Sequence, residues 1–469
     1  MADKFIGIQL GCHSVFDEGA DQCLDIMQKT AGVNAVFVYS HGDDRFAFMR
    51  PKEGIAPDHP TPVKDPQTRK LTTLWFHPHE KYYKGTVLRH QAMPDREYDG
   101  RDVFEELIEP CRKRNIKLFA RALEAYAEHT VPLVDNWTKV LSVDVFGRID
   151  HRPCFQNPDY RNFWLATVED LFKSYPLDGF KYGAERSGPL ANLIIDGVAP
   201  SCFCDYCCER ARAEGINVER AKRGYRELHA FIQSCLHDDP PPSDGYHVTF
   251  VRILLKYPEI LAWEYMWHQQ KEDLSRRMYG AIKTIKPQAK VGWHVYHSVT
   301  WQTIYRAEMN YAELADYSDW LKPVVYHDIA GVRIRKRHIA QLKRTILREI
   351  SEEDSLSLLY DFMGYDKKTE PSLDTMTTTG MSPDYVYREV KRCVDGVKGR
   401  IPIYAGVGFD IPADGNPIRS ITERVYRAVY RAFEAGASGL IISREYDEMR
   451  IPNLEAVGKA IRDATAKGL

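Results

Sequence analysis

Residues 179–185, GFKYGAE, form a short run with buried-strand character that ends in a carboxylate, Glu185. Runs of this kind alternate with segments of helical spacing along the whole chain, the pattern of βα units around a parallel sheet. The predicted strands are residues 5–12, 34–40, 116–123, 179–185, 289–297, 321–327, 401–410 and 439–444.

Helical segments lie between these strands, with apolar and charged residues at helical spacing. They are residues 20–30, 102–114, 159–175, 260–285, 335–350, 384–397, 420–434 and 453–466. Eight strands with eight helices predict one α/β domain over residues 1–469, a (β/α)₈ or TIM barrel. The alternative is an open doubly wound sheet, but Gly11, Cys12 and His13 do not form the Gly-rich phosphate turn typical of its first strand.

Two segments are too long for plain βα loops, so the barrel is predicted to carry long insertions after strands 2 and 4. Residues 42–99, rich in Pro, His and Tyr, follow strand 2, and we expect them to lie over the barrel mouth as a functional loop. Residues 200–257 follow strand 4 and contain a dense group of cysteines.

The composition is that of a globular protein. Hydrophobic residues make up 44%, charged residues 28%, and the net charge is -2, without the basic excess of nucleic-acid-binding proteins. Aromatic residues reach 12%, which suits stacking on sugar rings as well as a large core. The first residues do not form a secretion signal, and no apolar stretch reaches membrane-helix length. We therefore expect a soluble, cytoplasmic protein that binds neither nucleic acid nor membranes.

The run SCFCDYCCER, residues 201–210, predicts a metal site. Thiolates at Cys202, Cys204 and Cys207 can reach one tetrahedral ion, and sulfur ligands favour zinc. Cys208 adjoins Cys207 in the chain and would struggle to point at the same ion, so Cys154 is the better fourth ligand. A site closed by four thiolates has a structural role, whereas the alternative is a set of free thiols.

Carboxylates at predicted strand ends are candidates for catalysis, because the chemistry of this barrel lies at the carboxyl ends of its strands. Retaining glycoside hydrolysis requires two carboxyl groups about 5 Å apart, one as acid/base and one as nucleophile. We predict Glu185 as the acid/base, with Asp410 as the first choice of nucleophile and Glu445 as the second. The alternative for each of them is an ion pair or a helix cap.

Further polar and aromatic residues at strand ends suit a sugar pocket. The predicted substrate-binding residues are His13, Arg121, Trp293, His294, Tyr296, His297, Tyr326, His327 and Arg444. Histidine recurs among them, which also allows a catalytic metal.

The middle of the chain resembles glycoside hydrolase family 42, the β-galactosidases with a four-cysteine zinc site. The resemblance rests on Cys154, residues 157–161 (NPDYR), Glu185 and the C-x-C-x-x-C spacing from Cys202 to Cys207. It implies that Glu185 is the acid/base, that the four cysteines bind structural zinc and that the substrate is a carbohydrate. It also implies that such barrels associate, so a homo-oligomer is compatible with it.

The sequence departs from that family at two positions. The family has Asn before its acid/base glutamate where this chain has Ala184, and a glutamate nucleophile at the end of strand 7 where the nearest carboxylate is Asp410. Residues 403–412 and 436–450 instead resemble hypothetical glycoside hydrolase barrels of the same clan. We therefore carry over the fold, the zinc and the acid/base, but not galactose.

Three functions are compatible with these observations. The first is a retaining glycoside hydrolase that acts on a small glycoside or oligosaccharide. The second is a metal-dependent lyase or isomerase that uses the strand-end histidines. The third is a sugar-binding barrel without catalysis.

Overall fold

The computed structural model describes residues 4–41, 58–59, 74–91, 98, 100–123 and 134–469. Most of the predicted insertion at residues 42–99 lies outside the described residues.

Eight parallel strands form the centre of the molecule, and each pairs with its neighbours in chain order. They are β1 (Phe5–Leu10), β2 (Ala35–His41), β3 (Lys117–Leu123), β4 (Gly179–Gly183), β5 (Lys290–Val295), β6 (Trp320–Pro323), β7 (Tyr404–Ala405) and β8 (Gly439–Ile442). Strand β1 pairs with both β2 and β8, and parallel bridges from Leu321 to Ile403 and from Val324 to Gly406 join β6 to β7. The sheet is thus a closed barrel, and the predicted fold class is confirmed.

Helices surround the barrel. Those of the described residues are α1 (Cys12–Asp17), α2 (Ala20–Ala31), α3 (Val103–Lys113), α4 (Pro158–Ser174), α5 (Pro189–Asp196), α6 (Asp205–Ala213), α7 (Val218–Leu236), α8 (Tyr246–Lys256), α9 (Glu259–Ile285), α10 (Thr303–Glu308), α11 (Tyr311–Leu314), α12 (His327–Ile334), α13 (Ala340–Arg344), α14 (Glu352–Met363), α15 (Met376–Thr379), α16 (Pro383–Gly396), α17 (Thr422–Glu434) and α18 (Ile451–Ala466). Among the helices of the described residues, we find none that combines the length and the apolarity of a membrane span.

The helix predicted at residues 335–350 differs in the structure. Helix α12 begins earlier, at His327, and a π-helical turn, Arg335–Ile339, joins it to the short α13. The wider turn changes which side chains share a face. It contains Arg337 and follows Arg333, two arginines of the candidate site.

Aromatic side chains fill the amino-terminal end of the barrel. Phe37 and Phe119 have ring centroids 4.7 Å apart, and Phe5 stacks on Tyr404 at 4.1 Å. Trp320 completes this aromatic layer and is 1% exposed. Large, fully buried rings contribute strongly to stability, so this layer forms a firm base below the functional end of the barrel.

Successive side chains of a strand alternate between its faces, so the residue two positions further along points into the barrel again. Phe119 is thus followed by Arg121 and Trp320 by Lys322, while Lys181 occupies the same level on β4. A buried polar layer therefore lies directly above the aromatic one.

Strand β7 is shorter than the predicted run of residues 401–410, and isolated bridges continue it at Gly406 and Gly408. A Cβ atom at Gly406 would lie 2.6 Å from the side chain of Lys322, and one at Gly408 would lie 2.5 Å from the Tyr326 ring. These glycines leave room for two side chains of the neighbouring strand region.

The insertion after β4 is helical, as α5 to α8 come between β4 and α9. It forms its own buried cluster, in which Phe203 stacks on Trp263 of α9 with ring centroids 4.3 Å apart. This packing fixes the cysteine-bearing segment against the long helix.

Candidate active site

A cavity of about 250 Å³ opens at the carboxyl ends of the strands. Its lining is Gln9, Tyr39, Arg121, Leu123, Lys181, Glu185, His294, Tyr296, His297, Ser298, Trp301, Val324, Tyr326, Arg333, Arg337, Ala413, Asp414 and Arg444. This set contains seven of the predicted site residues: Arg121, Glu185, His294, Tyr296, His297, Tyr326 and Arg444.

Glu185 follows β4 and is the carboxylate that faces the cavity most openly. Its side chain is 39% exposed, whereas that of its partner His294 is 5% exposed. The Nε2 atom of His294 lies 2.6 Å from Glu185 Oε1, within hydrogen-bond distance. The histidine therefore fixes one carboxylate oxygen, and a ligand in the cavity can contact Glu185.

The electrostatic surroundings keep this pair in the carboxylate and imidazole forms. Burial by itself would raise the pKa of Glu185, but His294 and Arg333 outweigh it and lower that pKa to about 2. Burial lowers the pKa of His294 to about 3. At neutral pH a neutral imidazole thus donates its Nε2 proton to an ionised carboxylate.

Glu445 lies on the opposite side of the barrel, after β8, and forms a buried ion pair with Arg121. The two side chains are 4% and 1% exposed. The Arg121 guanidinium also lies 3.5 Å from the centre of the Tyr39 ring. Arg121 lines the cavity, so Glu445 is one residue removed from the lining.

Two further arginine clusters surround the opening. Arg444 forms an ion pair with Glu448, while Arg333 and Arg337 both bind Asp414. Arg333 Nη1 also donates to Nδ1 of His297 at 3.0 Å. His297 therefore has its remaining proton on Nε2, which lies 2.9 Å from the Tyr385 hydroxyl.

Asp410 lies outside the cavity lining. Its carboxylate accepts hydrogen bonds from the backbone N–H and the guanidinium of Arg450, at 3.1 and 3.0 Å, and from Asn453 at 2.7 Å. These partners are at the start of α18, so the carboxylate joins the loop after β7 to that helix.

Three predicted substrate-binding residues also lie outside the lining. His13 Nε2 is 3.0 Å from Asp447, and the Trp293 indole donates to the carbonyl of Tyr317 at 2.9 Å. His327 is fully buried, 3.3 Å from Asp328. Trp293 and His294 are adjacent on β5, and alternation sends only His294 into the barrel.

Several lining residues were not predicted from the sequence. Gln9 and Lys181 are polar residues inside otherwise apolar strand runs, and this is the signal that could have revealed them. Arg333, Arg337 and Asp414 come from a helix and a loop beyond the strand ends, where alternation gives no guidance.

The four predicted metal ligands converge. One ligand atom each from Cys154, Cys202, Cys204 and Cys207 lies within 4.8 Å of all the others. The Cys154 and Cys207 sulfurs are 3.5 Å apart. Cys208 instead points its thiol at the carbonyl of Phe203. The cluster has the donor set and the spacing of a metal site, with Cys154 as its fourth member.

The strand-end histidines do not form a comparable cluster. Within the part of the chain that the structure describes, the only other group of three or more potential ligands is His77, Asp102 and Glu105, away from the cavity. Asp102 there caps α3 through its side chain. The described geometry thus gives no support to the metal-dependent lyase or isomerase.

A short chain of contacts links the cysteine cluster to Glu185. Arg186, the next residue, donates to the carbonyl of Pro153 at 2.7 Å, and its guanidinium lies 3.9 Å from the centre of the Phe155 ring. Pro153 and Phe155 are the two neighbours of Cys154 in the chain. The position of Glu185 is therefore tied to that of a cluster cysteine.

Neither a family model nor a curated protein matches this sequence. Solved structures do resemble it. The glycoside hydrolase domain of PgaB (BpsB) from Bordetella bronchiseptica is 11% identical with a TM-score of 0.50, over 99% of this chain and 98% of that one. A β-galactosidase from Halorubrum lacusprofundi is 12% identical with a TM-score of 0.53, over 98% of this chain and 58% of that one.

A β-galactosidase from Marinomonas ef1 is 10% identical, with a TM-score of 0.50 over 99% of this chain. The present chain spans 59% of that enzyme's length, so it is similar to part of these β-galactosidases. At such identities the likeness establishes a shared barrel fold.

Proposed function

We propose that this protein is a retaining glycoside hydrolase that acts on a small glycoside or oligosaccharide, with Glu185 as acid/base. The observation that carries the proposal is the open Glu185 carboxylate in a polar and aromatic cavity at the catalytic end of the barrel. The fold shared with a PgaB glycoside hydrolase domain and with β-galactosidases supports it.

Glu445 is the better candidate for the second carboxylate. It follows β8, opposite β4, and its partner Arg121 lines the cavity. Asp410, the other candidate, is held by Arg450 and Asn453, and neither it nor these partners line the cavity. An ion pair with arginine favours the ionised form that a nucleophile requires.

The size of the cavity favours a single sugar ring. Sites for drug-sized ligands begin at about 300 Å³, and this cavity has about 250 Å³. Tyr296, Trp301 and Tyr326 supply ring faces of the kind that stack on sugars, and the surrounding arginines supply donors for hydroxyl groups. We therefore propose cleavage at the end of a small glycoside.

Glu185 must bind a proton before it can act as an acid. A substrate that fills the cavity would remove solvent from the exposed part of this carboxyl group, and desolvation raises the pKa of an acid. In the second half of a retaining reaction, the ionised form would accept a proton from water. The depressed pKa of the free protein suits this second role directly.

We further propose that the four cysteines hold a structural zinc ion. The four-thiolate donor set leaves no open coordination position, and sulfur ligands select zinc. Bound there, the ion would cross-link the segment around Cys154 to the segment from Cys202 to Cys207. It would take no part in the chemistry at Glu185.

A panel of nitrophenyl and alkyl glycosides tests the hydrolase. We expect the protein to cleave at least one nitrophenyl glycoside, and Glu185→Ala to lose about 10²–10⁴-fold in rate on the matching alkyl glycoside. The loss should be smaller on the nitrophenyl compound, because that leaving group needs little protonation. Glu169→Gln, at a partly exposed residue of α4, is the matched control and should retain full activity.

Two results would reject the assignment. If the protein binds sugars but cleaves none of the panel, it is a sugar-binding barrel without catalysis. If Glu185→Ala cleaves both compounds as fast as the parent protein, another residue is the acid/base.

A further inference from the structure

Two lysine amines, one of them in the cavity lining, meet in the polar layer of the barrel. Lys181 Nζ and Lys322 Nζ both donate to Oε1 of Gln9, at 2.5 and 2.6 Å. Lys181 is on β4 and Lys322 on β6, and each is 1% exposed or less. The proposed hydrolase does not use either of them.

The amide of Gln9 is held in the orientation that accepts both amines. Its Nε2 donates to the backbone carbonyl of Arg444 at 2.5 Å, which directs Oε1 towards the lysines. A single amide oxygen has no charge to neutralise two ammonium groups. The arrangement therefore brings the two amines together on one uncharged acceptor.

Among the described residues, no carboxylate oxygen lies within the 4.0 Å limit of an ion pair with either Nζ, although Glu185 and Glu445 act on both from further away. Burial, followed by the charge of Lys322, lowers the pKa of Lys181 well below that of an ordinary lysine. Burial and Arg121 lower the pKa of Lys322. A desolvated lysine next to another cationic group is a nucleophile at neutral pH.

Their surroundings distinguish the two amines. Lys181 lines the cavity, whereas Lys322 is enclosed between Gly406 and the Tyr326 hydroxyl, to which it donates at 3.1 Å. Only Lys181 is therefore within reach of a ligand. Lys322 is a positioning residue, because a proton on its amine opposes a second proton on Lys181.

We propose that Lys181 is a nucleophilic amine that forms an imine with the carbonyl carbon of an open-chain aldose or ketose bound in this cavity. This goes beyond the proposed hydrolase, since it requires a carbonyl group and no glycosidic bond. The imine would make the site suited to removing a proton, or cleaving a carbon–carbon bond, next to the former carbonyl carbon.

The reaction balances with water as its only by-product. The lone pair of neutral Nζ attacks the carbonyl carbon, and one proton moves from nitrogen to the carbonyl oxygen to give a carbinolamine. A second proton, taken up from solvent, allows that oxygen to leave as water as the C–O bond breaks, and the nitrogen lone pair forms the second C–N bond of a protonated imine that keeps the remaining N–H. Glu185, which lines the same cavity, can relay both protons.

Borohydride trapping of the intact protein tests the proposal. The protein is incubated at neutral pH with D-glyceraldehyde or dihydroxyacetone, reduced with sodium borohydride, digested and mapped by mass spectrometry. We expect one adduct on the peptide that contains Lys181, heavier by one molecule of the probe less one oxygen atom. Lys181→Met should reduce this adduct to background, and Lys290→Arg, at an exposed lysine of β5, should leave it unchanged.

Lys322→Met tests whether the neighbouring amine controls the protonation of Lys181. Without the neighbouring amine, we expect the pH at which trapping becomes half-maximal to move upward. Adducts confined to surface lysines, or an adduct on Lys322 instead, would overturn the proposal. Mapping of the unaltered protein gives this answer even if a variant fails to fold.

The imine proposal and the hydrolase proposal can be rejected separately. Glu185→Ala removes the proposed acid/base but leaves the Lys181 amine in place, so it should slow trapping without changing the residue that is modified. A protein that cleaves no glycoside yet is trapped at Lys181 would reject the hydrolase and support the imine. A protein that cleaves a glycoside but is not trapped at Lys181 would support the hydrolase and reject the imine.

Discussion

At the scale of single residues, Glu185 combines two properties that have opposite consequences for an acid catalyst. It is open to the cavity, as a group that contacts substrate must be. Its pKa of about 2 keeps it ionised at neutral pH in the free protein. General acids work best when their pKa is close to the working pH, so the pH dependence of the proposed hydrolysis would distinguish an acid from a base or nucleophile at Glu185.

We expect kcat/KM for an alkyl glycoside to rise by about tenfold for each unit that the pH falls between 7 and 5, because the protonated fraction of an acid increases by that factor above its pKa. The value of kcat should vary less, since the bound substrate raises the pKa of Glu185. Initial rates over this range, with circular dichroism as a control for folding, provide the test. A flat kcat/KM profile would mean that Glu185 acts in its ionised form, as base or nucleophile.

The sequence allowed part of the site to be predicted, for reasons visible at particular residues. Glu185, Tyr296 and Tyr326 follow strand ends, and the barrel brings such positions together whatever their separation in the chain. Trp293 and His294 were both predicted to bind substrate, although neighbours on a strand face opposite sides. The partners that keep Asp410 and His13 out of the cavity lie in other elements, and spacing along the chain does not reveal them.

At the scale of elements, the junction between β7 and α18 depends on one carboxylate. Asp410 has a φ of 53°, in the left-handed region, and accepts hydrogen bonds from Arg450 and Asn453 at the start of the helix. Aspartate and asparagine tolerate this backbone conformation better than most side chains. The described contacts are those of a structural anchor between a loop and a helix.

Asp410→Asn keeps the backbone preference but removes the charge. We expect it to lower the free energy of unfolding by about 1.5–3 kcal/mol, the contribution of a hydrogen bond to a charged group, and to leave hydrolysis within a few-fold of the parent rate. Urea unfolding and steady-state assays measure the two effects. Asp395→Asn, at an exposed residue of α16, is the control; a large loss of activity without loss of stability would make Asp410 the nucleophile.

Strand β7 and helix α12 show where prediction of elements reaches its limit. Apolar periodicity located β7 but placed the helix at residues 335–350, after α12, and beyond Ala405 the strand continues only as isolated bridges at Gly406 and Gly408, where a side chain would meet Lys322 and Tyr326. The π-helical turn at Arg335–Ile339 has a sequence that fits an ordinary helix equally well. Contacts made by other parts of the barrel decide these details.

At the scale of the whole molecule, the cysteine cluster joins two distant segments. Cys154 precedes α4, and the other three cysteines lie in the insertion after β4. Arg186 connects the neighbours of Cys154 to Glu185. An ion at the cluster would thus stabilise the fold and, through Arg186, the position of the proposed acid/base.

Removal of bound metal by a zinc chelator should therefore lower both Tm and activity. We expect the melting temperature to fall by about 2–4 °C for each kcal/mol of stability lost, the scale for large domains, and Zn²⁺ to restore it. Cys204→Ser should reproduce the effect. Cys208→Ser, one residue from a proposed ligand, should not change either property. Elemental analysis of the parent protein should give one zinc per chain. Equal effects of the two substitutions would argue against the proposed ligand set.

The overall architecture was the most predictable level, because eight strand runs and their helices are repeated many times along the chain and each repeat supports the others. Each residue of the cavity occurs only once, so no repeated pattern supports its prediction.

The aromatic layer of Phe37, Phe119 and Trp320 fills the interior of the barrel below the cavity. A ligand that enters at the carboxyl ends of the strands must therefore leave by the same opening. In the proposed hydrolase, the product must therefore leave before the next substrate can enter, and a product that dissociates slowly would block that substrate.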